Sequence, residues 1–236
     1  MFKKVLIGGI TLAGMTVLLA ACGTNDSNSG SSASSSDKTS QSAKSSSEKS
    51  DKEKYGQIIG KDTSEDKSAK EITKPGDSVN FEVPASSNEE YLHFAFMHAA
   101  SGAMGWYFAP AAESGVALSK SMFEDDKTVD ITDQIALFEA PNQTTSMAVT
   151  EDNGSLKYGE SSDFMKVTVT KEDNMYKITI ENTSSGDFET PFSSGVWSVS
   201  DSKDKAFDHT ASQELSTLAT SGKRADLYNE VKDEMK

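Results

Sequence analysis

The chain has 236 residues, a formal net charge of -14 and a single cysteine. That acidity argues against nucleic acid or anionic lipid as a direct partner of the folded part. One cysteine excludes an intramolecular disulfide, so packing alone has to hold the core. The first 21 residues set a basic start (Lys3, Lys4) before the apolar stretch Val5 to Leu19, with the small residues Ala20 and Ala21 at its end. This is the order of a secretory signal peptide, and the apolar stretch is short for a membrane span.

In that reading Cys22 opens the mature chain, and residues 22–71 follow as a Ser-rich tether. Gly23 to Lys54 contain no aromatic residue and no Val, Ile, Leu or Met. Such a segment cannot bury enough apolar surface to offset its chain entropy, so disorder is expected. About thirty Gly/Ser-rich residues have an r.m.s. span of ~30 Å. Ile58-Ile59 form a small apolar patch in polar surroundings, left open between a terminal strand and more linker.

Residues 72–236 carry the patterns of one mostly β domain. Val79 to Val83 alternate apolar and polar residues, as a half-buried strand does. Tyr91 to His98 are almost continuously apolar and aromatic, which suits a strand covered on both faces. Trp106 to Ala109 end at Pro110, and Ile135 to Phe138 follow the turn Asp130-Ile131-Thr132-Asp133. Lys166 to Thr170 and Tyr176 to Ile180 flank Lys171 to Met175, a loop length suited to a hairpin. Val196 to Val199 add another strand, and many short strands separated by turns point to a sandwich or barrel.

Only the carboxyl-terminal end reads as helix. Thr210-Ala211-Ser212-Gln213 has the spacing of a capping box, Leu215, Leu218 and Ala219 follow, and Gly222 marks a stop. A second helix over Arg224 to Met235 sets Leu227, Val231 and Met235 on one face.

Leu19-Ala20-Ala21-Cys22-Gly23 resembles the lipobox of bacterial lipoproteins. The resemblance implies that Cys22 is diacylated on sulfur and becomes the new N-terminus. Two acyl chains anchor stably where one is marginal. The expected location is the outer face of the cell membrane, and the Ser-rich spacer suits a Gram-positive envelope.

A second resemblance covers most of residues 72–235. Tyr176 to Ser184, Thr190-Pro191, Gly195-Val196-Trp197 and Ala211 to Gly222 resemble the opening of a spondin-N domain. Pro75 to Val83, Trp106 to Pro110 and Asp130 to Ala140 follow that family's later segments, but stand earlier here. The halves are swapped, which a circular permutation explains, and permutation succeeds where the old termini are close and exposed. Two partial copies are the competing account. The resemblance implies a C2-like antiparallel β-sandwich with two short C-terminal helices, in permuted order.

Some spondin-N domains bind calcium through loop carboxylates at one end of the sandwich. Where the family has an Asp before its Trp, this chain has Gly105, and its acidic run reads Glu139-Ala140-Pro141-Asn142-Gln143. Calcium takes six to eight oxygens, several of them usually carboxylates. The resemblance therefore implies at most a degraded calcium site, with Glu139, Gln143 and Asn142 as its remains. No other cofactor is expected.

Catalytic patterns are weak. His93 and His98 lie five residues apart, hence on opposite faces of a strand. Asp125-Asp126 and Asp130/Asp133 are acidic turns of the kind that solvent usually covers. Trp106, Tyr107, Phe108 and Trp197 suit a groove or a core, and a core is expected for Trp106 and Phe108. No nucleophile elbow, zinc helix, phosphate loop or dinucleotide fingerprint is present. The sequence thus points to a non-enzymatic, monomeric surface lipoprotein that binds an unidentified surface or matrix ligand. A transporter's substrate-binding lipoprotein is the first rival, and a surface hydrolase the second.

Overall fold

The computed structural model describes residues 54–60, 71–86, 88–124 and 127–236. The leader, Cys22, most of the tether and Asp125-Asp126 lie outside these residues. Within them the chain is mostly β, in two antiparallel sheets. The first carries β1 (Tyr55–Ile58), β3 (Glu90–His98), β4 (Trp106–Pro110), β5 (Val116–Leu118), β7 (Ile135–Glu139), β8 (Met147–Ala148) and β11 (Phe192–Ser200). Its order is β1-β11-β3-β4-β7-β8, with β5 pairing β3 beyond the reach of β4. The second sheet has the order β2-β10-β9-β6, from β2 (Ser78–Pro84), β10 (Met175–Asn182), β9 (Met165–Glu172) and β6 (Thr128–Asp130).

Side chains alternate across a strand, so each strand of a sandwich offers one face to the other sheet. Val79, Phe81 and Val83 of β2, with Val167 and Val169 of β9 and Ile178 and Ile180 of β10, turn inward. They meet Phe94, Phe96, Trp106, Phe108 and Leu137 of the larger sheet in one core. The opposite face of the small sheet is polar and wet: Thr128 bonds Thr170, and Thr179 donates to Asn80.

The central strands of the larger sheet have no wet face. Ala95, Tyr107, Ala109, Phe138 and Val196 point away from the sandwich and are covered by Leu215, Leu218, Leu227 and Val231. Those four belong to α2 (Gln213–Ser221) and α3 (Ala225–Glu234), two short helices near the C-terminus. Every residue of β3 is consequently buried, as its unbroken apolar run predicts. The short α1 (Ser161–Phe164) leads into β9.

The two blocks read from the sequence close one interior. β2 pairs with β10 and β11 pairs with β3, so strands of both blocks are hydrogen-bonded in each sheet. Across the core Phe81 stacks on Trp197 at 5.6 Å, and within the larger sheet Phe96 meets Phe192 at 5.3 Å. The expected neighbours Val167–Thr170 and Tyr176–Ile180 pair directly, Val169 opposite Ile178.

Three details differ from expectation. Tyr55–Ile58 is a strand on β11, with Ile58 in the core, so the folded unit begins before residue 72. The β9–β10 connection is the two-residue turn Asp173-Asn174, with Asp173 at φ +48°, because the ladder takes in Lys171 and Glu172 on one side and Met175 on the other. The cap of α2 is Ser212, whose hydroxyl accepts from Leu215 N–H at 3.0 Å; Thr210 instead donates to Ala206 C=O. Gly222 ends α2 in the left-handed region at φ +69°.

Arg224, the only arginine of the chain, stands where these ends meet. Its guanidinium donates to Gln57 of β1, to Glu71, and to Ser194 at the irregularity in β11. Tyr55 and Tyr228 meet nearby, with ring centroids 5.9 Å apart. A lysine has no planar fork and cannot reproduce this set. We expect Arg224→Lys to lower the unfolding free energy by about 1–2 kcal/mol, read from urea midpoints. An unchanged midpoint would show that the three contacts add nothing net.

Candidate functional site

Glu139 closes β7 and lies opposite Trp106 of β4 and Met147 of β8. Register partners share a face, so Glu139 is carried on the sandwich side of the sheet, at its open end. Asn142 does not join it. Its Oδ1 accepts from Thr144 N–H at 3.0 Å, Thr144 Oγ1 at 2.7 Å and Thr145 Oγ1 at 3.1 Å, a turn closed on itself. Gln143 sits exposed on that turn.

Gly105 is more than a missing ligand. It holds φ +71°, and a Cβ there would lie 2.8 Å from the carbonyl oxygen of Ala140. Any side chain at this position requires the turn after β7 to move. Among the described residues, no three His, Cys, Asp or Glu side chains are placed together to hold an ion. The donor set at Glu139 and Gln143 does not fit calcium. We expect millimolar calcium to leave the melting temperature of the protein unchanged. A rise that Glu139→Gln abolishes would restore a metal site here.

The two histidines of β3 take opposite faces and different partners. His93 points to the helix side, where Nδ1 lies 3.0 and 3.1 Å from the two carboxylate oxygens of Asp208. Both residues are at most 1% exposed, and Nε2 of His93 has no partner. The Tyr107 hydroxyl donates to the Asp208 carbonyl at 2.8 Å, and His209 Nε2 lies 2.9 Å from the Pro110 carbonyl. Burial pushes the Tyr107 hydroxyl well above its ordinary pKa; its bond to Ser146 opposes that shift, and nearby Asp208 adds to it. This buried Asp–His pair was not foreseen, and no nucleophile is bonded to it among the described residues.

His98 faces the sandwich core, with rings of Trp106, Phe108 and Phe164 within 5.8 Å. Burial lowers its pKa to about 4, only partly offset by a hydrogen bond to its own backbone. The unfolded imidazole titrates near its ordinary 6.5. Between roughly pH 6.5 and 4 the unfolded chain therefore gains a proton that the folded one refuses, and stability falls with pH by ~3 kcal/mol. We expect His98→Gln to lose less stability than the wild type between pH 7 and pH 4.5 in urea titrations. Equal losses would mean that His98 titrates normally.

The acidic turn Asp130/Asp133 lines a cavity of about 490 Å³, with Thr132, Ile135, Glu160 and Ser161. Asp130 accepts from the N–H and hydroxyl of Thr132 at 2.9 and 2.6 Å. Partial desolvation opposes these bonds, yet with Lys166 nearby they hold its carboxyl below the ordinary range. Asp130 thus shapes a turn, and no hydrogen bond joins it to Asp133. Trp106, Tyr107 and Phe108 are fully buried and Trp197 nearly so; all four fill cores, and Trp106 also borders a cavity at the end of the sandwich.

Comparison with family models, curated proteins and solved structures gives no significant match to this chain. The fold is therefore described by its own geometry, as an antiparallel two-sheet β unit with a helical cover on one side.

Proposed function

We propose that the protein is a lipid-anchored lipoprotein of the bacterial cell surface, and that its β unit is a binding or adhesion module. The observation that carries this reading is the run Leu19-Ala20-Ala21-Cys22-Gly23 behind a dibasic, apolar leader, with the only cysteine at the cut. The Ser-rich stretch after it supplies a spacer between acyl chains and fold. Chemically, the described unit offers surface and cavities rather than an aligned nucleophile and base. A transporter's two-lobed α/β binder is a poorer fit to one mostly β unit.

The spondin-N likeness belongs to this proposal. It is supported by the shared interior of the two blocks, by the direct pairing of β9 with β10, and by the contacts of Arg224 with Glu71 and Gln57. In this reading the permuted chain keeps the family's sandwich, while the turn at Gly105 and Asn142 has left calcium chemistry behind.

The test is expression of the full chain in a bacterial host with labelled fatty acid. The wild type is expected to take up label and to partition into the detergent phase. Cys22→Ser is expected to lose both. A wild type that partitions into the aqueous phase without label overturns the anchored reading.

A further inference from the structure

One cavity has a feature that the core around it does not explain. About 320 Å³ opens at the end of the sandwich, lined by Trp106, Glu139 and the chain from Met147 to Asn153. Trp106 is fully buried, and its indole Nε1 has no hydrogen-bond partner. Indole nitrogen is a donor only, and a buried donor without an acceptor costs free energy comparable to a lost hydrogen bond. Beside it on the same sheet face stands Glu139, whose carboxylate forms no ion pair or hydrogen bond among the described residues.

Neighbouring groups narrow the chemistry. Asp152 is already engaged, by Lys157 Nζ at 2.7 Å and by Tyr158 N–H at 3.0 Å. Those bonds, with the paired Asn153 and Leu156, close the segment that walls the cavity. Of the buried and half-buried lining groups, one neutral donor, Trp106 Nε1, and one acceptor, the Glu139 carboxylate, remain for a ligand on adjacent strands ~5 Å apart, and the exposed side chains of Thr150, Glu151 and Asn153 also line the cavity. A bare cation satisfies the carboxylate but repels the indole N–H. An anion does the reverse. A hydroxyl group accepts and donates through one oxygen, so two neighbouring hydroxyls answer both groups together.

We propose that this cavity binds a neutral polyhydroxylated ligand, a sugar ring, held by Trp106 Nε1 and Glu139 with Met147 covering its less polar side. Met147, at 55% exposure, is among the most exposed large apolar side chains described. A surface of this kind has a use if it packs against a ring face. The proposal deepens the binding-module reading and rests on it.

The test is saturation-transfer NMR with the full chain, acylated at Cys22 and held in a detergent without sugar headgroups. Glucose, N-acetylglucosamine and their disaccharides serve as probes at millimolar concentration, with tryptophan fluorescence as a second readout. Binding of at least one sugar is expected, weakened about tenfold or more by Glu139→Gln, the loss of a charge-assisted hydrogen bond. Glu139→Gln is nearly isosteric at a half-buried position, so it keeps the fold; Trp106→Phe, which removes the indole donor, is the second variant, checked by its melting curve. Glu113→Gln, on a distant exposed loop, is expected to bind as the wild type does.

Sugar binding that neither Glu139→Gln nor Trp106→Phe weakens removes the cavity from the proposal and leaves a binding module that works elsewhere. Silence of every sugar overturns it too. A calcium response lost in Glu139→Gln, with no sugar response, replaces the sugar by a cation. None of these outcomes touches the lipid anchor, which Cys22→Ser tests separately.

Discussion

The larger sheet lies between two apolar layers, and that double burial governs the rest of the molecule. A strand with both faces covered has no solvent to satisfy polar side chains, so each one needs a fixed protein partner. His93 finds Asp208, the Tyr107 hydroxyl finds the Asp208 carbonyl, and the Ser193 hydroxyl serves both Met97 N–H and the Ser194 carbonyl. Two of these bonds reach the turn around Asp208, and His209 adds a third at Pro110. The turn is therefore fixed before α2 begins, and the helices inherit their place over the sheet from it. Apolar cover and polar anchoring act on the same few residues.

The order of strands in space explains why neither sequence block is a separate unit. Each sheet joins strands of the two blocks, β11 to β3 in one and β10 to β2 and β9 in the other, so removing one block strips hydrogen bonds from strands of the other. The aromatic contacts that fill the sandwich run the same way, between Phe81 and Trp197 and between Phe96 and Phe192. Such a core is built from non-local pairs, and pairing of this kind is slow to form because loop closure precedes any gain. The acidity of the chain has no part in this interior. Its charged groups lie mainly on the wet face of the small sheet, on the helices and in the turns.

Much of this was legible where a pattern is local. Alternation at Val79, Phe81 and Val83 marks a half-wet strand, and the unbroken apolar run of Tyr91 to His98 marks one covered twice. The stop at Gly222 follows from backbone sterics alone. Strands of two or three residues, such as β5, β6 and β8, are too short to show any period, and none was foreseen. β1 was left open because Ile58 is its one core residue. Thr210 misled as a cap because cap chemistry is shared by Thr and Ser, and geometry chose Ser212.

The site was less legible than the fold. Asp208 stands 115 positions from His93, and no spacing rule connects a turn acid to a strand histidine at that range. The same holds for the indole nitrogen of Trp106. Its residue type predicts burial, while only coordinates show that its one polar atom has nothing to bond. Glu139 and Gln143 were singled out by likeness to a family motif. Gln143 stands exposed on a turn that Asn142 ties to its own threonines.

β1 has a mechanical consequence. The chain enters the fold at Lys54, and the next four residues hang on β11 by a short ladder at the margin of the larger sheet. A pull from the amino-terminal side loads that ladder first, and it can open one rung at a time. Peeling it away would bare Ile58 and detach Gln57 from Arg224, yet leave both remaining layers paired. A pull from that side would thus be spent on this ladder before it reached the aromatic interior.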